Sequence, residues 1–190
     1  MDYTKLKSDA RVLLRPIVNL YLKTGLSPNF LTLSSLGLSL ITAYLYKIGQ
    51  FRYAALMLIF SGLCDTLDGD VARRLHKVSK FGAFLDSVVD RYTEFIIFFG
   101  ILLYYIKTYV FILAFFCLIG SFMVSYTRAR AEGLGEDCKV GICQRTERFT
   151  LLLIGSLFGP HIFVYFLWAI MILTNFTAVY RIYYVWKRKI

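Results

Sequence analysis

The sequence predicts an all-α integral membrane protein with six transmembrane helices, preceded by an amphipathic helix on the membrane surface. Hydrophobic residues fill 58% of the 190 positions and charged residues only 18%, whereas soluble domains average nearer half and a quarter. Six spans of about 20 residues each would use most of the chain and leave no room for a separate soluble domain. The net charge of +10 does not indicate nucleic-acid binding, because the basic residues lie between apolar runs rather than on one polar surface.

Residues 1–24 form the first predicted unit, a helix that lies on the membrane surface. Apolar residues recur there at spacings of three and four, which places them on one helical face. They are Leu6, Ala10, Leu13, Ile17 and Leu20. The basic residues lie mainly on other faces, where they would meet anionic lipid headgroups. A soluble amphipathic helix packed on a core is the alternative, and the lack of soluble sequence disfavours it.

Residues 25–190 form the second predicted unit, and six apolar runs in it indicate six spanning helices. The runs cover residues 30–47, 53–64, 81–106, 109–127, 149–159 and 162–186. The second and fifth runs are too short to cross a hydrocarbon core of about 30 Å. These two helices should therefore continue into polar sequence, which would bring Asp65 and Asp68 into one and Arg145 and Arg148 into the other.

The distribution of Lys and Arg predicts a multi-pass protein of the cell membrane with both termini in the cytoplasm. With the N-terminus inside, 18 of the 22 basic residues lie in inner segments and three in outer ones. The inner segments are residues 5–23, 73–80, 128–148 and 181–189. Such an excess on one side is typical of cytoplasmic loops.

Half of the twelve acidic residues fall within 30 positions, across the end of one predicted helix and the start of the next. Asp65 and Asp68 are three apart and Asp86 and Asp90 four apart, so each pair shares a helix face. A hairpin at residues 74–81 would bring the two pairs together, and facing carboxylates at membrane depth need cations. Oxygen ligands favour Mg²⁺, Mn²⁺ or Ca²⁺ over zinc. The alternative is that the carboxylates form ion pairs with Arg73, Arg74 and Arg91.

Glycines at fixed offsets complete a motif around these acids. The sequence reads Asp65-x-x-Asp68-Gly69-x-x-Ala72-Arg73 and then, after eight residues, Gly82-x-x-x-Asp86-x-x-x-Asp90. In every defined position this resembles the signature of the CDP-alcohol phosphotransferase family. The resemblance implies a homodimeric membrane enzyme with six helices and two Mg²⁺ ions, or Mn²⁺ in their place, at the cytoplasmic side. Such an enzyme moves a phosphatidyl-type group from a CDP-linked lipid to an alcohol and releases CMP.

The resemblance also implies roles for single residues. Asp90 would accept the proton of the attacking hydroxyl and would bind metal together with Asp65, Asp68 and Asp86. Two cations held by opposed carboxylates can neutralise a pyrophosphate during an in-line displacement. The residues that would contact the CDP-lipid are Asn29, Thr32, Gly69, Arg73 and Ser79.

A second polar group lies at the cytoplasmic ends of the fourth, fifth and sixth predicted helices. Its members are Ser125, Arg128, Arg145, Arg148 and Arg181. Guanidinium groups match phosphate oxygens in pairs, which predicts an acceptor that carries a phosphate. Arginines that reach towards lipid headgroups are the alternative for any one of them. The arrangement resembles the branch of the family that makes phosphatidylinositol phosphate or archaetidylinositol phosphate, although Thr146 stands where bacterial relatives commonly have Pro.

The function expected from these residues is transfer of a phosphatidyl or archaetidyl group from a CDP-linked lipid to inositol 1-phosphate, with release of CMP. Within the same chemistry, glycerol 3-phosphate or serine is the alternative acceptor. In a different class, buried acids could line the pathway of an ion or metal transporter. A pathway would spread polar residues through the whole bilayer depth, whereas these collect at the cytoplasmic ends.

Overall fold

The computed structural model describes residues 16–188, and every regular element within this range is helical. A short segment, α1, covers residues 16–22. The longer helices are α2 Pro28–Lys47, α3 Phe51–Arg74, α4 Lys80–Tyr104, α5 Val110–Gly133, α6 Arg145–Leu157 and α7 Pro160–Lys187. The all-helical prediction is confirmed, and each of the longer helices covers most or all of one predicted apolar run.

Within residues 16–188, three helices, α2, α5 and α7, are long and apolar enough to cross a membrane. Large apolar side chains on these helices are exposed, among them Leu40 (57%), Ile112 (60%) and Phe176 (55%). A surface this rich in exposed apolar groups is typical of contact with lipid rather than water. The structure is therefore that of a membrane protein.

The second and fifth predicted helices do extend into polar sequence, but they reach different lengths. α3 continues through the acidic motif and has 24 residues. α6 begins at Arg145 and has only 13 residues, or about 20 Å of helix. It stops early because Gly159 has a positive φ of 84° and Pro160 begins α7, a position that proline favours. By itself α6 is too short to span a hydrocarbon core of about 30 Å.

α2 packs against both α3 and α4 and holds these two acid-bearing helices together. The backbones of α2 and α4 approach closely at Gly100 of α4, where a Cβ atom would lie 2.3 Å from the carbonyl oxygen of Ala43. α5 packs against α7 and α4, and α6 packs against α7 and α3. A turn at residues 75–79 joins α3 to α4, close to the predicted hairpin.

An aromatic core closes the end of the bundle that lies opposite the α3–α4 turn. Phe51, at the start of α3, contacts the rings of Tyr46 and Phe163 with centroid distances of 5.2 and 5.1 Å. All three side chains are buried. Edge-to-face contacts of this kind add to the apolar burial, so the interior of this end of the bundle is apolar while the other end is polar.

The predicted surface helix, residues 1–24, lies largely outside the described residues. In the described part, Val18 is buried in a small apolar cluster with side chains of α2 and α3. Ile17 and Leu20, from the predicted apolar face, are 45% and 68% exposed. α1 therefore packs on the bundle through Val18, and its Ile17 and Leu20 side chains are free to contact lipid.

Candidate active site

Three of the four predicted metal-binding carboxylates meet between α3 and α4. One oxygen from each of Asp65, Asp86 and Asp90 lies within 4.8 Å of the others, and all three residues are half-buried. Asp65 comes from the polar extension of α3, while Asp86 and Asp90 lie on successive turns of α4. Carboxylate oxygens gathered in this way fit a hard divalent cation such as Mg²⁺ or Mn²⁺. We call these three residues the acid cluster.

Asp68 lies outside this acid cluster. Its Oδ2 accepts a hydrogen bond of 2.6 Å from Thr32 Oγ1 of α2, and both side chains are buried. The sequence pattern groups all four carboxylates. The structure separates Asp68 because three residues of helix turn the side chain by roughly 60° away from the direction of Asp65.

Arg145 of α6 carries the main positive charge at the acid cluster. Its Nη1 donates to the two carboxylate oxygens of Asp65 at 3.0 and 2.9 Å, and its Nη2 lies 2.8 Å from Asp90 Oδ1. One guanidinium thus bridges α3 and α4 across 80 residues of sequence in one case and 55 in the other.

The arginines that the alternative interpretation pairs with the acids contribute much less. Arg91 Nη1 lies 3.4 Å from Asp90 Oδ2. Arg73 pairs instead with Asp70, and Arg74 donates to the side chain of a residue in α1. Among the described residues, the ion pairs of the acid cluster therefore come from Arg145 and, more weakly, from Arg91.

A cleft of about 200 Å³ opens beside the acid cluster, between the start of α2, the end of α3 and the start of α4. All five residues predicted to contact the CDP-lipid line it, namely Asn29, Thr32, Gly69, Arg73 and Ser79. Asp68 and Asp86 line it as well. We call this the donor cleft.

Local helix chemistry shapes the donor cleft. Ser79 is the N-cap of α4, and its Oγ accepts a hydrogen bond of 2.9 Å from the backbone N–H of Gly82, as N-cap serines commonly do. A Cβ atom at Gly82 would lie 3.1 Å from that Oγ. A Cβ at Gly69 would lie 3.5 Å from Arg73 Nη1. A side chain at position 82 would therefore crowd the N-cap serine, and one at position 69 would touch the Arg73 guanidinium.

A second cleft, of about 970 Å³, lies between α4, α5, α6 and α7. All five residues predicted to bind the acceptor phosphate line it, namely Ser125, Arg128, Arg145, Arg148 and Arg181. We call this the arginine cleft. Asp90 also lines it, whereas Asp86 of the same cluster lines the donor cleft. The acid cluster therefore lies where the two clefts meet.

The arginines of this cleft differ in exposure. The side chains of Arg128 and Arg145 are 38% and 29% exposed, whereas Arg148 and Arg181 are 1% and 2% exposed. Arg181 donates from Nε to the carbonyl of Val140 at 2.8 Å and from Nη1 to a carbonyl of α5. It therefore ties α7 to α5 and to the loop that follows α5.

Glu94 is the partner of Arg148, and the sequence pattern alone does not assign it a role. Arg148 Nε and Nη2 donate to the two carboxylate oxygens of Glu94 at 2.6 and 2.9 Å. Glu94 is one of the six neighbouring acids and lies four residues after Asp90. That spacing is the signal that could have indicated it, because it places Glu94 one helical turn further along the same face of α4.

Cys143 lies near the end of the loop between α5 and α6, and its backbone contacts Thr177 of α7 and Arg148 of α6. Its N–H donates to Thr177 Oγ1 at 3.2 Å and its carbonyl oxygen accepts from Arg148 Nη1 at 3.4 Å. Burial raises the pKa of the Cys143 thiol to about 11. The thiol therefore stays neutral at pH 7 and adds no charge beside Arg148.

Comparison with known proteins agrees with this geometry. Residues 25–180 match the family described as CDP-alcohol phosphatidyltransferase. The archaetidylinositol phosphate synthase of Methanothermobacter thermautotrophicus is 37% identical over 183 residues, which cover 92% of this chain and 93% of that protein. The archaetidylinositol phosphate synthase of Pyrococcus horikoshii is 39% identical over 166 residues, 86% of each chain.

Solved structures show the same fold. The Mycobacterium tuberculosis phosphatidylinositol phosphate synthase with CDP-DAG bound has a TM-score of 0.81 at 30% identity, covering 90% of this chain and 92% of that one. The same enzyme in complex with manganese and citrate has a TM-score of 0.83, covering 90% and 88%. The chain belongs to the CDP-alcohol phosphatidyltransferase family, and it is a transferase of that family.

Proposed function

We propose that this protein transfers a phosphatidyl or archaetidyl group from a CDP-linked lipid to inositol 1-phosphate and releases CMP. The observation that carries the proposal is the position of the acid cluster between the donor cleft and the arginine cleft. A cleft lined by five arginines, the four predicted ones and Arg91, suits a phosphorylated acceptor better than serine, because guanidinium groups pair with phosphate oxygens. Similarity to two archaetidylinositol phosphate synthases supports the same acceptor.

Divalent cations are part of the proposal. We propose that Asp65, Asp68, Asp86 and Asp90 hold two Mg²⁺ ions, or Mn²⁺ in their place. When bound, the cations would neutralise the pyrophosphate of the donor and the charge that develops on the leaving CMP. The carboxylate donor set supports this assignment, as does the manganese complex of the M. tuberculosis enzyme.

The side chains of this protein would position the two substrates and move one proton. The residues of the donor cleft would hold the CDP moiety, and the arginine cleft would hold the phosphate of the acceptor. Asp90 would accept the proton of the acceptor hydroxyl. The hydroxyl oxygen would then bond to the phosphorus on the lipid side, and the bond from that phosphorus to CMP would break.

The test is CMP release by purified protein that is given CDP-archaeol or CDP-diacylglycerol with Mg²⁺. Inositol 1-phosphate, glycerol 3-phosphate and serine are supplied in turn, and one reaction receives no acceptor. We expect the highest CMP release with inositol 1-phosphate. Absence of CMP with every acceptor would contradict the enzyme proposal, and a preference for serine or glycerol 3-phosphate would contradict the proposed acceptor.

Glycerol 3-phosphate remains the second candidate acceptor, because the arginine cleft would also suit its phosphate. An ion or metal transporter has less support. The aromatic core around Phe51 and Phe163 fills the end of the bundle opposite the acid cluster, where a transport pathway would need polar groups.

We further propose a homodimer in the cell membrane in which residues 1–24 lie on the surface and residues 25–190 form a six-helix transmembrane domain, with α6 crossing only part of the bilayer. Both termini and the active site would face the cytoplasm. The basic residues of the α3–α4 turn and the α5–α6 loop support a cytoplasmic position for these two segments. The same two segments border the clefts, so the active site would lie on the cytoplasmic side as well. Light scattering of the detergent-solubilised protein would test the dimer, with a monomer mass contradicting it.

A further inference from the structure

We propose that Glu94 is a positioning residue that orients Arg148 for the acceptor phosphate without contacting the acceptor itself. The inference rests on the proposed function and adds a residue to it. Glu94 lies on α4 and Arg148 on α6, 54 residues apart in the sequence. Their contact therefore fixes the position of α6 relative to the helix that carries Asp86 and Asp90.

The geometry of the pair sets the orientation of the guanidinium. Two parallel hydrogen bonds, of 2.6 and 2.9 Å, use the Nε and Nη2 atoms of Arg148 and both carboxylate oxygens of Glu94. A two-point contact fixes the plane of the guanidinium as well as its distance. It also uses both oxygens of Glu94, so this carboxylate is committed to Arg148 rather than to the acid cluster.

The pair leaves part of Arg148 available. Of the five N–H groups of a guanidinium, Glu94 engages one on Nε and one on Nη2. The carbonyl of Cys143 accepts from Nη1 at the long distance of 3.4 Å. The two remaining N–H groups, one on Nη1 and one on Nη2, belong to a side chain that lines the arginine cleft and is 1% exposed. We infer that they meet the phosphate once it has entered the cleft.

Burial explains why this arginine needs a fixed partner. Arg148 is 1% exposed and Glu94 is 9% exposed, and a buried charge without a partner is strongly destabilising. Arg128, in contrast, is exposed and pairs with Glu132 one turn further along its own helix. Pre-orienting Arg148 during folding spares the acceptor the entropic cost of ordering a long side chain on binding.

The first test is Glu94→Gln, measured by acceptor and donor titrations of CMP release. The amide keeps one acceptor oxygen but turns an N–H donor towards Arg148, so the guanidinium loses its two-point contact. We expect the KM for inositol 1-phosphate to rise about tenfold, the effect of about one hydrogen bond to a charged group. The KM for the CDP-lipid should stay within about twofold of the wild type. Unchanged KM values for both substrates would overturn the proposal.

Glu136→Gln is the matched control. Glu136 also pairs with an arginine, Arg188, at 3.2 Å, but it lies outside the residues that line either cleft. We expect both KM values to stay at the wild-type level. Should Glu94→Gln fail to fold, Glu94→Asp keeps the charge and shortens the side chain by one methylene. It should still raise the acceptor KM selectively, and a wild-type acceptor KM in this variant would overturn the proposal.

Exchanging the charges of Glu94 and Arg148 distinguishes a positioning role of Glu94 from a role in fold stability alone. In the double variant Glu94→Arg with Arg148→Glu the ion pair is kept, but a carboxylate replaces the guanidinium at the cleft. We expect the unfolding temperature to recover relative to either single variant while the acceptor KM stays high. Recovery of a wild-type acceptor KM would show that the pair only supports the fold.

The same measurements distinguish this inference from the proposed function. If wild-type protein shows no CMP release that depends on inositol 1-phosphate, the proposed function fails. If the wild type responds to inositol 1-phosphate but the Glu94 variants keep its acceptor KM, only the positioning role of Glu94 fails.

Discussion

Arg145 places a single positive charge against two carboxylates of the acid cluster. Its guanidinium spans Asp65 and Asp90 through contacts of 2.8 to 3.0 Å. It also lines the arginine cleft, where we propose that the acceptor phosphate binds. The same guanidinium therefore has two classes of anionic partner, and a cation bound at the acid cluster would compete with it for carboxylate oxygens.

Arg145→Ala should raise the affinity of the substrate-free protein for Mn²⁺ severalfold, because the guanidinium no longer competes for Asp65 and Asp90. Free Mn²⁺ measured by electron paramagnetic resonance gives this affinity. Arg128→Ala is the control, because Arg128 pairs with Glu132 and not with the acid cluster. It should leave Mn²⁺ binding unchanged. Weaker Mn²⁺ binding in Arg145→Ala would contradict the competition.

Asp90→Asn should lower CMP release by about 10²–10⁴-fold, since the amide cannot accept the proton of the acceptor hydroxyl. Binding of the CDP-lipid, followed by equilibrium dialysis, should persist because Asp90 lines the arginine cleft rather than the donor cleft. Asp137→Asn, in an exposed loop acid paired with Lys139, should keep full activity. Retained turnover in Asp90→Asn would exclude Asp90 as the base.

α6 has only 13 residues, and it carries two arginines of the site. The Gln144 N–H donates to Glu147 Oε2 at 2.9 Å, a capping-box contact that fixes where the helix begins. Arg145 and Arg148 follow on one face of its first turn and reach α3 and α4. The short helix thus brings two arginines to the acid-bearing helices.

α2 packs against both α3 and α4, and its backbone lies close to that of α4 at Gly100. In Gly100→Ala the added Cβ would lie 2.5 Å from Ala43 Cα, so the two backbones would have to separate. We expect a loss of about 1–3 kcal/mol in the free energy of unfolding, measured in detergent. Gly37→Ala on α2 has open space around its Cβ and should be neutral or slightly stabilising. Equal stability of the two variants would contradict the close packing.

The whole molecule has two unlike ends. The aromatic core closes one end, and both clefts open at the other, beside the α3–α4 turn and the α5–α6 loop. In the proposed orientation the polar end faces the cytoplasm, where a soluble phosphorylated acceptor would reach Asp90 directly.

Single-cysteine labelling in intact cells tests this orientation. Lys107→Cys lies in the loop between α4 and α5, and Lys139→Cys in the loop between α5 and α6. A membrane-impermeant maleimide should label position 107 from outside and position 139 only after permeabilisation. The four native cysteines, Cys64, Cys117, Cys138 and Cys143, are replaced by Ser in both variants. Labelling of position 139 in intact cells would contradict the proposed orientation and indicate the opposite one.

The helical class and the side chains of the acidic motif that share a helix face can be predicted from the sequence alone. These features follow from local rules: the 3.6-residue repeat decides which side chains share a face, and a short turn joins consecutive helices. The five predicted donor-cleft residues come instead from the resemblance to the family, and the five predicted arginine-cleft residues come from the placement of Ser125 and four arginines at helix ends. The length of α6 is less predictable, because it depends on where Gly159 and Pro160 end one helix and begin the next.

The tertiary packing decides which charged and polar side chains pair with each other. Asp68 bonds to Thr32 across 36 residues, Arg148 to Glu94 across 54 and Arg145 to Asp65 across 80. Such contacts depend on the packing of α2 between α3 and α4 and on the placement of α6. Helix periodicity gives the direction of a side chain about its own axis, but it does not encode the distance and rotation between two helices.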